Sequence, residues 1–407
     1  MSTFFTDHRG SISSVKEIPF EVKEILDSRS YPGVFRGLHM SPYPKRIIVQ
    51  KGKIFDVFVN PETLEKKMFT LVPGEYVDVP AGWAHGFYAY EYSEILYLLG
   101  GKFSPSFDKN IYWKDPTFQI EYPFSTETVK LSQKDNDAFY AKSYDFYVLG
   151  ARGYLGSEAV KILKAQGYSV FESNERFEAM ATIKEQIVKS RAKYVICAAG
   201  ISGKPTIEWS ETHEEETYRT NFLGVLDLMR LTNELKIHCT VFGSGQVFKG
   251  DKDTYTEQDK ADQTNKVYTK WRTELEKHIH FYNNVLYLRI IYPCTLDGNA
   301  KCFLSKMVAR AKTVHPVSVC LTIVPSLFPQ LSKLSQKGIT GILNFVNKGR
   351  ISLPDLLKIY GEVKTPLTYT VNTEGEIRGN YTLSADVLYS LTEIEGSIQD
   401  LLQKYLV

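Results

Sequence analysis

Short apolar runs separated by turn residues fill the chain up to about residue 122. Strand-like runs begin at Arg46, Ile54, Tyr76 and Glu94, and turns that contain glycine or proline lie between them. No amphipathic helix is predicted in this part of the chain. Many short strands at close spacing are typical of an antiparallel sandwich or barrel. Residues 1–124 are therefore predicted to form an all-β domain.

The pattern changes after a polar segment over 125–143, which is predicted to be a linker. An apolar strand over 146–149 then runs into a glycine turn. Residues 158–166 have helical spacing, and further strands are expected over 168–171 and 194–200. Strands that alternate with helices predict a parallel sheet covered on both faces. Residues 144–407 are therefore predicted to form an α/β domain.

Composition narrows the class of protein. The 407 residues suffice for two or three domains, and the net charge of +2 gives no electrostatic reason to expect nucleic acid or a membrane as partner. No apolar run is long enough to cross a bilayer, and the first residues lack the order of a signal peptide. The 5 cysteines are scattered and show no CxxC spacing, so we expect free thiols in the cytoplasm.

The turn after the 146–149 strand has the chemistry of a dinucleotide site. Gly150 allows a tight turn, Gly153 lets the backbone approach phosphates, and Gly156 lets the helix pack closely on the strand. The helix N-terminus then offers N–H donors and the positive end of its dipole to a pyrophosphate. The predicted cofactor-binding residues of this loop are Gly150, Arg152, Gly153, Tyr154, Leu155 and Gly156.

The motifs that follow resemble those of the extended short-chain dehydrogenase/reductase family, whose fold is of the Rossmann type. By this resemblance, Ser244 holds the carbonyl oxygen of the substrate and Tyr268 protonates it. Arg272 is the nearby cation that also bonds the cofactor. The segments that carry the resemblance are Ala198-Ala199-Gly200, Arg219-Thr220-Asn221, Gly243-Ser244-Gly245 and Tyr268-Thr-Lys-Trp-Arg272, and the first of them is expected to pass the cofactor.

Position 272 departs from the family, which has lysine there. Arg272 lies one helical turn after Tyr268, so both side chains share a face. Arginine keeps the positive charge and can bond ribose hydroxyls, although its size and shape differ. An inactive reductase-like domain is the alternative, and an active enzyme is preferred.

The choice of cofactor depends on the segment after the second strand. A ribose-binding acid is expected about 20 residues after the loop, and Glu172 lies near that place. Arg152 and Arg176 are candidates to pair with a 2′-phosphate. NADPH is therefore preferred to NADH, although Glu172 and Arg176 could equally form a surface pair.

Residues 145–407 as a whole resemble the 4-keto-6-deoxy-sugar reductases of rhamnose synthesis, especially the reductase/epimerase part of plant UDP-rhamnose synthases. The resemblance implies that Lys204 and Trp209 lie near the substrate. The segments that carry it are 199–211, 216–224 and 340–349.

Three segments of the first half suggest a cupin, an all-β barrel of the jelly-roll type. They are Asp7-His-Arg9-Gly10, Phe35-Arg36-Gly-Leu-His39 and Trp83-Ala-His85-Gly-Phe87. A metal-binding cupin usually carries a His-x-His motif with a nearby glutamate, and this half has none. No metal is therefore predicted.

Together with residues 45–56 and 111–116, these segments resemble the dTDP-4-dehydrorhamnose 3,5-epimerases. Such enzymes remove protons next to a 4-keto group, so they need a base and a cation that stabilises the enolate. The resemblance implies that His39, oriented by Asp115, is the base and that Lys45 stabilises the enolate. Arg9 and Arg36 are expected to bind the diphosphate, and Asp56 and His85 to support the site.

The family's second proton-transfer residue is a tyrosine in a Tyr-Tyr-x-Pro-like stretch. Here that stretch reads Gly100-Gly-Lys102-Phe103-Ser-Pro105. Tyr90, Tyr92, Tyr97 or a water could replace it. Alternatively the domain inverts one centre only, which would give another 6-deoxy sugar, or it is a non-catalytic dimerisation domain.

The two halves would catalyse consecutive steps. A UDP- or dTDP-4-keto-6-deoxy-D-glucose would be epimerised at C3 and C5 and then reduced at C4 to give nucleotide-activated L-rhamnose, with UDP slightly preferred. A separate 4,6-dehydratase would supply the substrate, and the cupin resemblance implies a homodimer. A polymeric nucleic acid and a membrane are not expected as partners.

Overall fold

The computed structural model describes two compact units, Met1–Lys142 and Ser143–Val407. The described residues are 4–8, 10–13, 17–104, 109–202, 207–310, 312–364, 366–372 and 381–406.

The first unit is built almost entirely from strands. They are β1 (Phe4–Asp7), β2 (Gly10–Ser13), β3 (Glu24–Ser30), β4 (Phe35–Met40), β5 (Lys45–Lys51), β6 (Ile54–Val59), β7 (Lys66–Leu71), β8 (Tyr76–Val79), β9 (Ala84–Ala89), β10 (Ser93–Leu99) and β11 (Lys109–Asn110), with a 3-10 turn at Pro116–Phe118 and the short helix α1 (Gln133–Asn136).

Two antiparallel sheets enclose the core of this unit. Their strand orders are β3-β10-β5-β8 and β11-β4-β9-β6-β7, and β1 pairs with β2. Alternate residues of β5 and β10 point inward, so that Ile47, Val49 and Ile95 are fully buried. They join Ile54 and Phe58 of β6 in one apolar cluster. The predicted all-β barrel is confirmed.

The segment predicted as a linker folds onto the first unit, which corrects that prediction for residues 125–142. Lys130 exchanges backbone hydrogen bonds with Gly33 and Phe35, at 2.8 and 3.0 Å. The carbonyl of Phe139 accepts the N–H of Tyr112 at 2.8 Å. The segment is polar because it covers the outside of a sheet, where one of its faces meets water.

The second unit alternates strands and helices. Its elements are β12 (Phe146–Leu149), α2 (Tyr154–Ala165), β13 (Val170–Ser173), α3 (Met180–Ser190), β14 (Tyr194–Cys197), α4 (Glu214–Tyr218), α5 (Gly224–Glu234), β15 (His238–Phe242), β16 (Thr254–Tyr255), α6 (Val267–Ile279), β17 (Val285–Arg289), β18 (Pro293–Cys294), α7 (Phe303–Arg310), β19 (Thr313–Val314), β20 (Ser318–Val319), β21 (Thr322–Ile323), α8 (Val324–Leu327), α9 (Gln330–Gln336), β22 (Gly341–Asn344), β23 (Ile351–Ser352), α10 (Leu353–Val363), β24 (Thr370–Val371), β25 (Thr382–Leu383), α11 (Asp386–Leu391) and α12 (Ile398–Leu406). Short 3-10 segments lie at Phe177–Ala179 and Ile207–Thr212, and a π-helical turn spans Arg219–Leu223.

Six parallel strands form the central sheet of this unit, in the order β13-β12-β14-β15-β17-β22. Residues of α2, α9 and α11 pack on one set of strand side chains, while α5 and α6 contact β15 and β17. The chain leaves β12 towards β13 and then crosses back to β14. This reversal opens a crevice at the carboxyl ends of β12 and β14, where ligands bind in open α/β sheets. The predicted Rossmann-like α/β domain is confirmed.

All 5 cysteines are buried free thiols. Among the described residues, we find no helix that combines the length and the apolar character needed to cross a membrane.

Candidate active sites

His39 is held by a carboxylate at one end of the first unit's barrel. A register shift in the pairing of β4 with β9 lies between Arg36 and His39. Gly37 makes this bulge, because its φ is +131° and a Cβ atom there would lie 2.7 Å from the carbonyl oxygen of His85. The bulge sets His39 opposite His85.

The carboxylate that holds His39 is that of Asp135. The Nε2 atom of His39 lies 2.6 Å from Oδ1 of Asp135, and the two side chains are 29% and 5% exposed. A carboxylate can only accept, so Nε2 carries the hydrogen of the neutral ring and Nδ1 keeps the lone pair. In this arrangement Nδ1 is the ring atom that can accept a proton.

The predicted pairing of His39 with Asp115 is wrong. The Asp115 carboxylate accepts the backbone N–H groups of Thr117 and Ala141, at 2.9 and 2.7 Å. It caps the 3-10 turn at Pro116–Phe118 and ties the end of the former linker segment to it. Asp135 sits in that segment, inside a polar run, where sequence gives no sign that separates it from a solvated acid.

Lys45 begins the strand that follows the loop after His39. Its Nζ atom donates to the backbone carbonyl of His39 at 3.4 Å, and the side chain is buried. A buried ammonium beside the base is suited to stabilise an enolate oxygen. The structure therefore brings Lys45 and His39 together, as predicted from the resemblance.

His85 and Asp56 form a buried pair next to these two residues. Nε2 of His85 lies 2.8 Å from Oδ2 of Asp56. Burial lowers the pKa of His85, the Asp56 carboxylate opposes this, and the nearby Lys45 and His39 lower it further. His85 is therefore a neutral hydrogen-bonding group. Tyr97, with its ring 6.5 Å from that of His85, completes this cluster.

The remaining predictions for the first unit concern Arg36, Arg9 and the positions of the expected tyrosine. Arg36 is exposed and donates to the hydroxyl of Ser30 at 2.9 Å and to the carbonyl of Arg29 at 3.1 Å. Arg9 lies outside the described residues. Lys102 and Phe103, at the expected tyrosine positions, are both exposed.

The glycine loop of the second unit has the geometry of a phosphate cradle. Gly150 has a φ of +81°, and a Cβ atom there would lie 2.7 Å from the backbone nitrogen of Ala199. A Cβ atom at Gly156 would overlap the carbonyl oxygen of Gly150. Helix α2 begins at Tyr154 with Gly153 at its N-cap, and within the described chain no side chain caps it. Its first N–H groups are thus left for an anion.

The groups expected to recognise the ribose lie beside this loop. Asn174 accepts the backbone N–H of Arg152 at 2.8 Å, which joins the loop to the end of β13. Arg152 and Arg176 are exposed, and no ion pair of either is found among the described residues. Glu172 instead pairs with Lys164 of α2 at 2.5 Å. The surface pair considered for Glu172 and Arg176 is thus not present.

Arg272 is buried without a carboxylate partner in the described part of the chain. Its Nη2 atom donates to Oδ1 of Asn221 at 3.2 Å and its Nη1 atom to the carbonyl of Phe242 at 3.4 Å. Burial works to lower the pKa of Arg272, but nearby Tyr268 and Tyr287 raise it. A Cβ atom at Gly200 would lie 2.6 Å from Nη2, so this glycine makes room for the guanidinium.

Tyr268 lies beside this cation, and Ser244 follows two residues after Phe242, whose carbonyl accepts from Arg272. The Arg272 guanidinium carbon is 5.7 Å from the centre of the Tyr268 ring. Ser244 is buried and its hydroxyl accepts the N–H of Gln246 at 3.1 Å. The phenol, the hydroxyl and the cation are the set that ketone reduction needs.

Sequence reasoning missed two residues of this cluster. Asn221 sits in the π-helical turn and also bonds the backbone of Ile201 in both directions, at 2.9 and 2.7 Å. Tyr287 lies on β17, and its hydroxyl is buried beside the backbone of Ser244. Asn221 ends the Arg219-Thr220-Asn221 segment of the resemblance, to which no role at the site was assigned, and Tyr287 stands in no predicted motif.

The substrate-side predictions for the second unit are Lys204 and Trp209. Lys204 lies outside the described residues. Trp209 sits in the 3-10 segment and stacks on His213 with ring centres 4.0 Å apart. Among the described residues, no group of three or more metal-ligating side chains is found.

Two protein families match the chain. Residues 2–142 match the family model of dTDP-4-dehydrorhamnose 3,5-epimerase. Residues 145–322 match that of the RmlD substrate binding domain.

Curated relatives are similar to one or both units. A bifunctional dTDP-4-dehydrorhamnose 3,5-epimerase/dTDP-4-dehydrorhamnose reductase of Arabidopsis thaliana is 28% identical over 57% of this chain and 79% of its own length. A trifunctional UDP-glucose 4,6-dehydratase/UDP-4-keto-6-deoxy-D-glucose 3,5-epimerase/UDP-4-keto-L-rhamnose-reductase of the same plant is 27% identical over 70% of this chain, which spans 45% of that relative. The dTDP-4-dehydrorhamnose 3,5-epimerase of Sinorhizobium fredii is 31% identical over 32% of this chain and 78% of its own length.

Solved structures support the fold of the second unit. The UDP-rhamnose synthase of Acanthamoeba polyphaga mimivirus has a TM-score of 0.61 at 25% identity, over 65% of this chain and 99% of its own. A dTDP-4-dehydrorhamnose reductase of Bacillus anthracis, solved in complex with NADP, has a TM-score of 0.57 at 15% identity, over 65% and 97%; this likeness concerns the fold alone.

These matches agree with the geometry of both sites. The chain belongs to the dTDP-4-dehydrorhamnose 3,5-epimerase family through its first unit, and it joins this epimerase domain to an RmlD-type reductase domain in a single enzyme.

Proposed function

We propose that the chain converts a nucleoside-diphosphate 4-keto-6-deoxy-D-glucose into the corresponding L-rhamnose nucleotide, by epimerisation at C3 and C5 and reduction at C4 with NADPH. The observation that carries this proposal is the His39–Asp135 pair beside Lys45 at one end of the barrel. A base held by a carboxylate next to a buried cation is the equipment for removing a proton beside a carbonyl.

In the epimerase step, Nδ1 of His39 takes the proton from the carbon next to the 4-keto group. The negative charge moves to the keto oxygen, where Lys45 stabilises it. Asp135 keeps the imidazole in one tautomer and stabilises the imidazolium that forms. The carbon is then reprotonated from the opposite face, and the same residues serve C3 and C5 in turn.

In the reductase step, bound NADPH supplies the hydride for C4. Tyr268 gives its proton to the keto oxygen, which Ser244 holds by a hydrogen bond. The charge of Arg272 stabilises the phenolate that Tyr268 leaves behind. The residues fit the cofactor: the uncapped start of α2 would hold the pyrophosphate, and the exposed Arg152 and Arg176 would bind a 2′-phosphate. The pairing of Glu172 with Lys164 removes a carboxylate that would repel that phosphate.

UDP is the preferred nucleotide. The relatives named above carry UDP and dTDP in their names, and the mimivirus UDP-rhamnose synthase is covered over 99% of its length. The ratio of kcat/KM for the UDP and dTDP substrates tests this choice. A ratio above one supports UDP, and a ratio below one contradicts it.

A separate 4,6-dehydratase would supply the substrate in the cytoplasm, a compartment that suits 5 free buried thiols. We also propose a homodimer. Strand β3 is an edge of its sheet and exposes Ile25 at 59%, and the unpaired backbone of an edge strand can pair with another chain. Light scattering should give twice the mass of the chain, and a monomer at micromolar concentration would contradict the dimer.

A single-centre epimerase that makes another 6-deoxy sugar is the second candidate. The exposed Lys102 and Phe103 at the expected tyrosine positions favour it. Deuterium incorporated from D2O at only one of C3 and C5 would select this candidate.

Variants that stop one step each test the main proposal. We expect His39→Gln to abolish deuterium exchange into the substrate in D2O, and Tyr268→Phe to keep the exchange but to lower NADPH oxidation by about 100-fold or more. A mixture of the two variants should restore product. Wild-type exchange rates in His39→Gln would contradict the proposed base.

A further inference from the structure

Inversion at carbon requires a proton donor that faces the base across the substrate. If His39 both removed and returned the proton, the configuration would be retained. This requirement rests on the proposed function. The positions where a tyrosine is expected hold Lys102 and Phe103, and the Phe103 ring is 47% exposed. The donor must therefore be sought among the other residues at the barrel end that carries His39 and Lys45.

Tyr90 and Tyr92 lie at the wrong end of the barrel. They precede strand β10, whose last residue, Leu99, pairs with Lys45. Strand β10 runs from Ser93 to Leu99, a distance of about 20 Å at the usual rise of a strand. Tyr92 lies near Tyr31, with ring centres 6.0 Å apart.

Tyr97 lies near the site but is a poor acid. It pairs with Ile47, which lies two residues after Lys45 on strand β5. Burial raises the pKa of Tyr97 far above its ordinary value, and the Asp56 carboxylate raises it further. A phenol whose anion is disfavoured in this way gives up its proton reluctantly.

Tyr43 lies in the loop 41–44, which joins the strand of His39 directly to the strand of Lys45. The carbonyl of Pro44 accepts the N–H of Gly100 at 2.9 Å, so the loop continues the pairing of β5 with β10. This contact sets Tyr43 beside Gly101. Its ring is half-buried at the barrel end where the base and the cation lie.

Gly101 provides the space that the Tyr43 ring occupies. A Cβ atom at Gly101 would overlap this ring and would lie 2.7 Å from its Cγ atom. Gly101 is not among the glycines with a positive φ, so its backbone does not require glycine. The reason for glycine here is steric. The Tyr43 ring thus covers the backbone immediately before Lys102, at the place from which the expected tyrosine would reach the substrate.

We propose that Tyr43 is the proton donor opposite His39 in the epimerase site. His39 takes the proton from carbon, and the C–H electron pair becomes the enolate held by Lys45. The Tyr43 hydroxyl gives its proton to the opposite face of the same carbon. Solvent then reprotonates the phenolate, and the imidazolium releases its proton to solvent. The sum is an isomerisation without a change of oxidation state.

Deuterium exchange without inversion is the signature of a lost donor. In D2O, with the UDP-4-keto sugar as substrate and without NADPH, the wild type should introduce deuterium at the carbon next to the keto group and invert that carbon. In Tyr43→Phe, His39 still exchanges the proton on its own face. We therefore expect deuterium in the retained sugar and inversion slowed by about 100-fold or more. Gly101→Ala should give the same pattern because it displaces the ring.

Tyr92→Phe is the matched control, since it removes one phenol hydroxyl at the other end of the barrel. Inversion by Tyr43→Phe at the wild-type rate would overturn the proposal. Loss of exchange together with inversion, in a variant with an unchanged melting temperature, would also overturn it, because a donor is not needed for exchange. A wild type that neither exchanges nor inverts would instead overturn the proposed function itself.

Discussion

The buried guanidinium of Arg272 fits because Gly200 leaves space for it and because two acceptors lie within hydrogen-bond distance. Gly200 has no side chain to strike Nη2, and Asn221 and the carbonyl of Phe242 accept its hydrogens. A lysine ammonium would have to bond both acceptors from one nitrogen atom, whereas the guanidinium bonds them with two separate nitrogens. The site therefore provides both the space and the hydrogen-bond acceptors that an arginine side chain needs.

We therefore expect Arg272→Lys to lower reductase kcat by about 10- to 100-fold, although lysine is the residue of the wider family. Gly200→Ala should also lower kcat, because its Cβ would displace the guanidinium. The double variant should lose less kcat than the product of the two single fold-losses, since lysine leaves room for the methyl group introduced by Gly200→Ala. Full activity in Arg272→Lys, measured as NADPH oxidation, would contradict this account.

The two aspartates near His39 can be told apart by matched substitutions. Asp135→Asn should lower epimerase kcat by about 100-fold or more and leave stability nearly unchanged, because it removes the charge that orients the base. Asp115→Asn should keep most activity but lose about 1 kcal/mol of unfolding free energy, because it weakens a turn cap. The reverse assignment of effects in exchange and denaturation assays would restore Asp115 as the partner of His39.

At the scale of elements, local patterns predicted more than distant pairings did. The strand, glycine turn and helix at 146–165 were predictable because φ, close approach and helix dipole act within one short segment. The Asp135 contact was not, because it joins residues that are 96 positions apart and depends on a segment whose polarity looks like that of a linker. Tyr43 and Gly101 escaped prediction for the same reason.

We propose that helix α2 and the end of β13 together determine the choice between NADPH and NADH. Arg152 and Arg176 flank the junction made by Asn174, and Lys164 engages Glu172. We expect Arg152→Ala with Arg176→Ala to raise the KM for NADPH by about 10- to 100-fold and to leave that for NADH nearly unchanged, because only NADPH loses charge-assisted contacts. Equal effects on both cofactors would show that these arginines do not bind the 2′-phosphate.

For the whole molecule, the His85–Asp56 pair makes the first unit sensitive to acid. Burial holds the pKa of His85 below 6.5, with Asp56 opposing and with Lys45 and His39 adding to the effect. As the pH falls below about 6.5, His85 therefore takes up a proton in the unfolded chain but not yet in the folded unit. The contribution of His85 to the free energy of unfolding is fully present above about pH 6.5. It is lost as the pH falls from there to the lowered pKa, by at most about 1.4 kcal/mol for each pH unit.

Hydrogen exchange resolves this effect by unit. Amides of the first unit should lose protection between pH 7 and the lowered pKa of His85, whereas His85→Asn should show a flatter pH dependence over the same window. The comparison must be made for each unit, because burial also lowers the pKa of His238 in the second unit. A first unit with the same stability at pH 7.5 and pH 5.5 would contradict the role given to His85.

The central claim is that a single chain carries out both epimerisation and reduction. The most direct measurement is an NMR analysis of the product formed from UDP-4-keto-6-deoxy-D-glucose and NADPH in D2O. We expect UDP-L-rhamnose with deuterium at C3 and C5 and one NADPH oxidised for each sugar. A reduced sugar that keeps the gluco configuration at C3 and C5 and carries no deuterium there would contradict it.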